Sequence, residues 1–185
     1  MESEYPIRPA PRRINVLVVV DTDEITSAYR PNRDASHPKV LGHHCPVSIC
    51  TDARDAIRFQ ATGKPRLNAN IGDIVSIAGT SSSANSQDAV LLYSLRPSVD
   101  GSIVAPPQLV VLTRSGAVEP NPDSQDRDGL PPTHREASFS RISSTVLERG
   151  VETLELAFAL YTLADDGQSQ RTSGYYACHF VIASI

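Results

Sequence analysis

Leu154, Leu156, Phe158 and Leu160 put a bulky apolar side chain at every second position. A strand sends successive side chains to opposite faces, whereas a helix needs apolar residues three and four apart. This stretch therefore predicts a strand with one face on a core. Tyr176, Cys178, Phe180 and Ile182 repeat the pattern within 174–184. Residues 14–20, Ile-Asn-Val-Leu-Val-Val-Val, are β-branched and apolar on both faces, which predicts a strand buried on both sides and central in its sheet. Shorter candidates lie at 47–51, 57–59, 67–70, 73–78, 89–95, 109–113 and 137–147. Between them stand turn and loop signals: the Pro-rich 31–46, the polar 79–88, the acidic 119–134, and the turns at Gly150 and Gly167. Helical spacing occurs once, where Ile25, Ala28 and Tyr29 share a face, with Asp21 or Thr22 as cap and Pro31 as stop. About eight turn-separated strands predict an all-β antiparallel β-sandwich, jelly-roll or Greek-key-like, with at most one short helix after the first strand. A parallel α/β fold would need crossover helices that the pattern does not supply.

The 185 residues fit a single sandwich domain over 14–185, preceded by a Pro/Arg-rich leader at 1–13 expected to be a flexible, solvated arm. Apolar residues at 40% suffice for a core, and 21% charged residues are too few for a disordered chain. A net charge of −4 offers no field for phosphate backbones, so nucleic acid is not an expected partner. No apolar run approaches the roughly 18 residues of a membrane span, so no membrane partner is expected either. Glu2 and Glu4 open the chain and the first apolar run stops at Asp21, which is unlike a secretory signal and places the protein in the cytoplasm. Three cysteines, Cys45, Cys50 and Cys178, leave at least one thiol unpaired, and whether Cys45 and Cys50 pair stays open.

Chemistry-bearing residues are sparse. His43, His44, Cys45 and Cys50, with His37 before them, lack the second close pair that a structural zinc site uses, while His134 and His179 stand alone. Asp123, Asp126 and Asp128 offer oxygens for a hard cation, but Pro131 and Pro132 follow where a calcium loop would need its closing Glu, so a solvated acidic loop is the first reading. The hydroxyls of 80–85 lack a glycine elbow, and Cys178 and His179, adjacent on a strand, face opposite ways. No catalytic residues are assigned and no cofactor is expected. Tyr93, Tyr161, Tyr175 and Tyr176 read as core residues. Alternatively one or two form a stacking floor for a sugar, with Asn85, Gln87 and Asp88 supplying hydrogen bonds.

The chain resembles the AidA/PixA inclusion-body protein family of bacteria at 14–21 with Ile25 and Tyr29, at Asn70-Ile-Gly-Asp73, at Gly79-Thr-Ser and at 85–93. Residues 158–163 and Gly174-Tyr-Tyr add to the resemblance, which runs from residue 14 to 176. It implies a β-sandwich, expression tied to quorum sensing or phase, no established molecular activity, and self-packing in some members. It brings no catalytic residues. It also draws attention to Asp21, Asp73, Asn85 and Asp88 at strand ends, either as turn and capping groups or as a ligand-contacting rim, since sandwich loops cluster there.

Two functions follow as expectations. The leading one is a non-enzymatic protein acting by self-association, as a homodimer or larger homo-oligomer, or by partner binding. The rival is a lectin-like module that binds a glycan or other small ligand through Asn85, Gln87, Asp88 and Asp21, with calcium at Asp123, Asp126 and Asp128.

Overall fold

The alternating segments become strands, and in a computed structural model the protein is almost wholly β. The structure describes residues 10–42, 45–51, 58–59, 65–98 and 102–184. Along the chain come β1 (Arg13–Val20), α1 (Thr22–Ala28), β2 (Lys39–Val40), β3 (Val47–Thr51), β4 (Arg58–Phe59) and β5 (Pro65–Ala69). β6 (Ile74–Ser81), β7 (Ala89–Pro97), β8 (Gln108–Glu119), β9 (Thr133–Thr145), β10 (Gly150–Leu163) and β11 (Gln170–Ser184) complete the order. One sheet has the order β3-β1-β6-β9-β8; the other runs β4-β5-β11-β10-β7, with β2 paired to β11.

The predicted all-β sandwich and its single helix are present, with two corrections. Eleven strands are described rather than about eight, though β2 and β4 have only two residues each. Neither sheet is purely antiparallel. β1 lies parallel to β6, and β11 lies parallel to both β2 and β5. Parallel neighbours need a crossover, and here it is made by strands rather than a helix: between β1 and β6 the chain visits the opposite sheet as β2, β4 and β5. The strand–turn–strand at 67–78 is thus not a hairpin, because β5 and β6 belong to different sheets.

Ile14, Val16, Val18 and Val20 of β1 pack with Ile77 of β6 against Leu154, Leu156, Phe158 and Leu160 of β10 and Tyr176, Cys178, Phe180 and Ile182 of β11. Burying each such large side chain contributes about 1.5–3 kcal/mol. β1 is internal to its sheet as expected but is buried on one face only, with Leu17 exposed on the other. The two-sided burial belongs instead to β10 and β11, whose outward positions include the buried Ala157, Ala159, Ala177 and Ala183. The sheets meet closely where Gly79 faces Leu92, since a Cβ on Gly79 would stand 2.7 Å from Leu92 Cγ.

Residues 1–9 of the expected leader lie outside the described residues. Its end is tied down. Asp73, 1% exposed, accepts from the Arg12 backbone N–H at 3.1 Å, from Arg12 Nε at 3.3 Å and from the Asn70 N–H at 2.9 Å. Gly72 turns the chain into this carboxylate with φ +91°, a conformation that only glycine adopts without strain.

Candidate functional site

Val20 is paired with Ser81, so β1 and β6 finish at the same end of their sheet. The Ser82 N–H donates to Val20 O at 2.9 Å, which sets the 82–88 turn beside Asp21. The structure therefore brings Asp21, Asn85, Gln87 and Asp88 to one end, as the rim reading requires. It also gives two of those side chains local tasks. Asp21 caps α1 by accepting from the Glu24 N–H at 3.1 Å. Asn85, at φ +60°, accepts through Oδ1 from the Ser81 N–H at 2.8 Å and the Val90 N–H at 3.0 Å, while its own N–H donates to Ser81 Oγ. The Ser81 hydroxyl in turn donates to Asp88 O at 2.6 Å. Gln170 Nε2 of β11 reaches across to Gln87 O at 2.7 Å and Asn85 O at 3.1 Å, fastening the turn to the second sheet. An Asn in this backbone conformation is reading its own neighbours. Turn chemistry thus engages the Asn85 Oδ1 and N–H, while the side chains of Gln87 and Asp88 take no part in these bonds.

Asp123, Asp126 and Asp128 sit in the connection between β8 and β9 and are not gathered around a common point. Among the described residues no three His, Cys, Asp or Glu side chains come together as a metal ion would need. Asp128 Oδ1 is turned back onto the loop, accepting from the Leu130 N–H at 2.9 Å, and Asn121 Oδ1 accepts from the Asp123 N–H at 3.0 Å. His43 and His44 lie outside the described residues.

The thiols are arranged differently from the sequence question. Cys45 packs against the core beside the buried Cys178 rather than with Cys50, which is exposed. Donation of the Cys178 thiol proton to Cys45, together with burial, holds that thiol well above the usual thiol range, which keeps it protonated and unreactive. His179, on the opposite face of β11, lies 4.0 Å from Glu155, whose other oxygen takes Arg96 at 3.0 Å. With His37 and Ser36 these residues line an open cleft of about 470 Å³. The tyrosines next to it make a packed corner rather than a platform: Tyr93 and Tyr175 meet edge to face at 5.9 Å, and the Tyr93 hydroxyl donates to Ala35 O at 2.8 Å. Desolvation pushes the Tyr93 phenol up.

The feature that sequence reasoning missed by residue is the β8–β9 ribbon. β9 pairs with β6 only from Ile74↔Thr145 to Ile77↔Ile142, yet it continues back to Thr133 alongside β8. Most of the ribbon therefore extends past the sandwich, and β8 is the terminal strand of its sheet. Leu109 is 57% exposed, Val111 59%, Val118 67%, and Phe139 of β9 53%. Among the described residues the outer edge of β8 pairs with no strand, which leaves a row of main-chain donors and acceptors facing outward. Apolar residues at 109 and 111 were visible as a strand; that no partner covers them was not.

The family model for PixA, described as inclusion body protein, matches residues 12–183. A crystal structure of an inclusion body protein (PixA) from Burkholderia cenocepacia J2315 is similar to the chain with a TM-score of 0.79 at 26% identity, covering 98% of this chain and 100% of that one. No curated protein matches the chain.

Proposed function

The chain belongs to the PixA family of inclusion body proteins, and from that premise we propose that it acts by self-association in the cytoplasm rather than by catalysis, a second copy adding its β8 to the first. The observation that carries this reading is the edge itself: a twelve-residue strand with Leu109, Val111 and Val118 exposed and no strand on its outer side among the described residues. Natural sheets protect such edges with charge, proline, brevity or a covering element, and Arg114 is the one basic residue on β8. Antiparallel pairing of β8 with β8 would satisfy both rows of backbone groups by one two-fold axis, the commonest symmetry of homo-oligomers. The same contact repeated with another exposed surface would extend into a larger assembly.

Sedimentation velocity over micromolar to millimolar protein tests the reading. The unmodified chain is expected to associate as concentration rises, and Val111→Lys, which puts a charge on the exposed edge, to stay monomeric with its fold intact. A strict monomer at the highest concentration overturns it, as does association of Val111→Lys and Leu109→Lys that matches the unmodified chain.

A further inference from the structure

Where β9 departs from β6 a cleft opens on the outer face of the β3-β1-β6-β9-β8 sheet. Register places Cys50, Leu17 and Ala78 side by side across three strands, because Leu17 is opposite both Cys50 and Ala78. Arg141 follows Ile142↔Ile77, the last pair between β6 and β9, and so stands on the far side of the gap, with Phe139 beyond it on the same strand. The cleft these residues line measures about 380 Å³, within the range of small-molecule sites.

Its chemistry is asymmetric. Leu17, Ala78 and Phe139 make an apolar surface, and Arg141 brings the sole charge among the lining residues. Arg141 is half-buried, its Nε is closed off from water with no acceptor, and no carboxylate lies within 4.0 Å of its guanidinium among the described residues. Compare Arg12, which has Asp73. A guanidinium withdrawn from water without a counter-ion is costly, and its remaining donors suit a planar carboxylate fork. Ser76, buried on the cleft floor, accepts from Ser143 Oγ at 3.2 Å, so its own hydroxyl proton is available to a ligand oxygen. A single cation with hydroxyls suits a monoanion; a phosphate dianion would leave charge uncompensated.

We infer that this cleft binds a carboxylate with an apolar body, the carboxylate on Arg141 and Ser76 and the hydrocarbon along Leu17, Ala78 and Phe139. Such a group is either a free short carboxylic acid or the C-terminal end of a peptide. The inference is independent of pairing through β8, whose outer edge lies on the far side of β9's partner strand.

Isothermal titration with hexanoate, hexanamide and N-acetyl-leucine on the full chain tests it. Hexanoate or N-acetyl-leucine is expected to bind, the tighter of the two telling a free acid from a peptide end, and hexanamide to bind about tenfold or more weaker. Arg141→Gln is expected to lower carboxylate affinity by about the same factor. Equal binding of hexanoate and hexanamide, no binding of either carboxylate, or Arg141→Gln binding unchanged overturns the site. Cys50 supplies a readout that needs no variant. It lines the cleft and is exposed, so a bound carboxylate is expected to slow its alkylation by N-ethylmaleimide while alkylation of Cys45 proceeds at its former rate. Cys50 labelling unaffected by saturating carboxylate counts against the site even where Arg141→Gln fails to fold.

Discussion

β10 and β8 are both long strands, of 14 and 12 residues, and both are rich in bulky apolar side chains, at every second position from Leu154 to Leu160 in β10 and in the unbroken run Leu109 to Leu112 in β8. Leu154, Leu156, Phe158 and Leu160 of β10 are all but sealed from solvent, whereas Leu109 and Val111 of β8 stand more than half exposed. The difference in burial lies in their neighbours. β10 has β7 on one side and β11 on the other, and the opposing sheet covers its inward face. β8 has β9 alone, and beyond Leu109↔Ile142 β9 has left β6. Period-two alternation specifies a strand and which side chains share a face; whether that face is covered depends on partners distant in sequence.

Truncating Phe158 to Ala makes the largest break in this comparison. At a fully buried site it is expected to cost about 3–5 kcal/mol in denaturant unfolding, and a loss below about 1 kcal/mol would mean that β10 is not the core strand described. Gly79→Ala tests the close approach of the sheets between these two regions. The added methyl meets Leu92, and an overpacking cost of about 1–3 kcal/mol is expected. Val111→Ala on β8 is the counterpart of the first change. For an exposed side chain the monomer's stability is expected to move by no more than about 0.5 kcal/mol at low protein concentration, and a core-sized loss would erase the contrast.

The smallest effect sits in the hairpin joining β10 to β11. The Ser169 hydroxyl, donating at 2.6 Å, and the Gln168 and Ser169 N–H groups lower the Asp166 pKa to about 2. A folded-state pKa below the unfolded one means that the charged form favours folding. The contribution is complete above the unfolded value near about 4 and disappears as pH falls through about 2. A carbon-detected NMR titration should find that midpoint, and Ser169→Ala should return it towards the ordinary carboxylate range.

Much of the fold was legible because strong local signals and tertiary structure agree. Asp21 capping, the Pro31 stop and the one-faced apolar sets of β10 and β11 are all short-range or period-two features, and each appears where the residues place it. β1 misled for a physical reason. Leu17 and Val19 add apolar character to an outward face, but among the described residues no third layer covers that face, so two-sided hydrophobicity did not mean two-sided burial. Parallel neighbours were hidden because helices were the expected crossover, and here the opposite sheet serves. Candidate residues fared similarly. Asn85 and Asp128 have side chains engaged with backbone within five residues, a use that composition alone does not separate from ligand contact. Arg141 carried no motif. It becomes a candidate only once β9 is seen to diverge from β6, a property of pairing that no single stretch of residues encodes.

The position of β11 has a consequence for how the chain reaches this state. It follows every other described strand, yet it lies in the interior of its sheet, between β5 and β10. Emerging from the ribosome in order, β5 must wait for a strand more than about a hundred residues downstream before it acquires its main neighbour, with loop-closure entropy opposing that meeting. Until then the flanks of β5 and β10 stay open, and a nascent chain stalled before residue 170 would present two raw edges to whatever lies nearby, including another copy of itself.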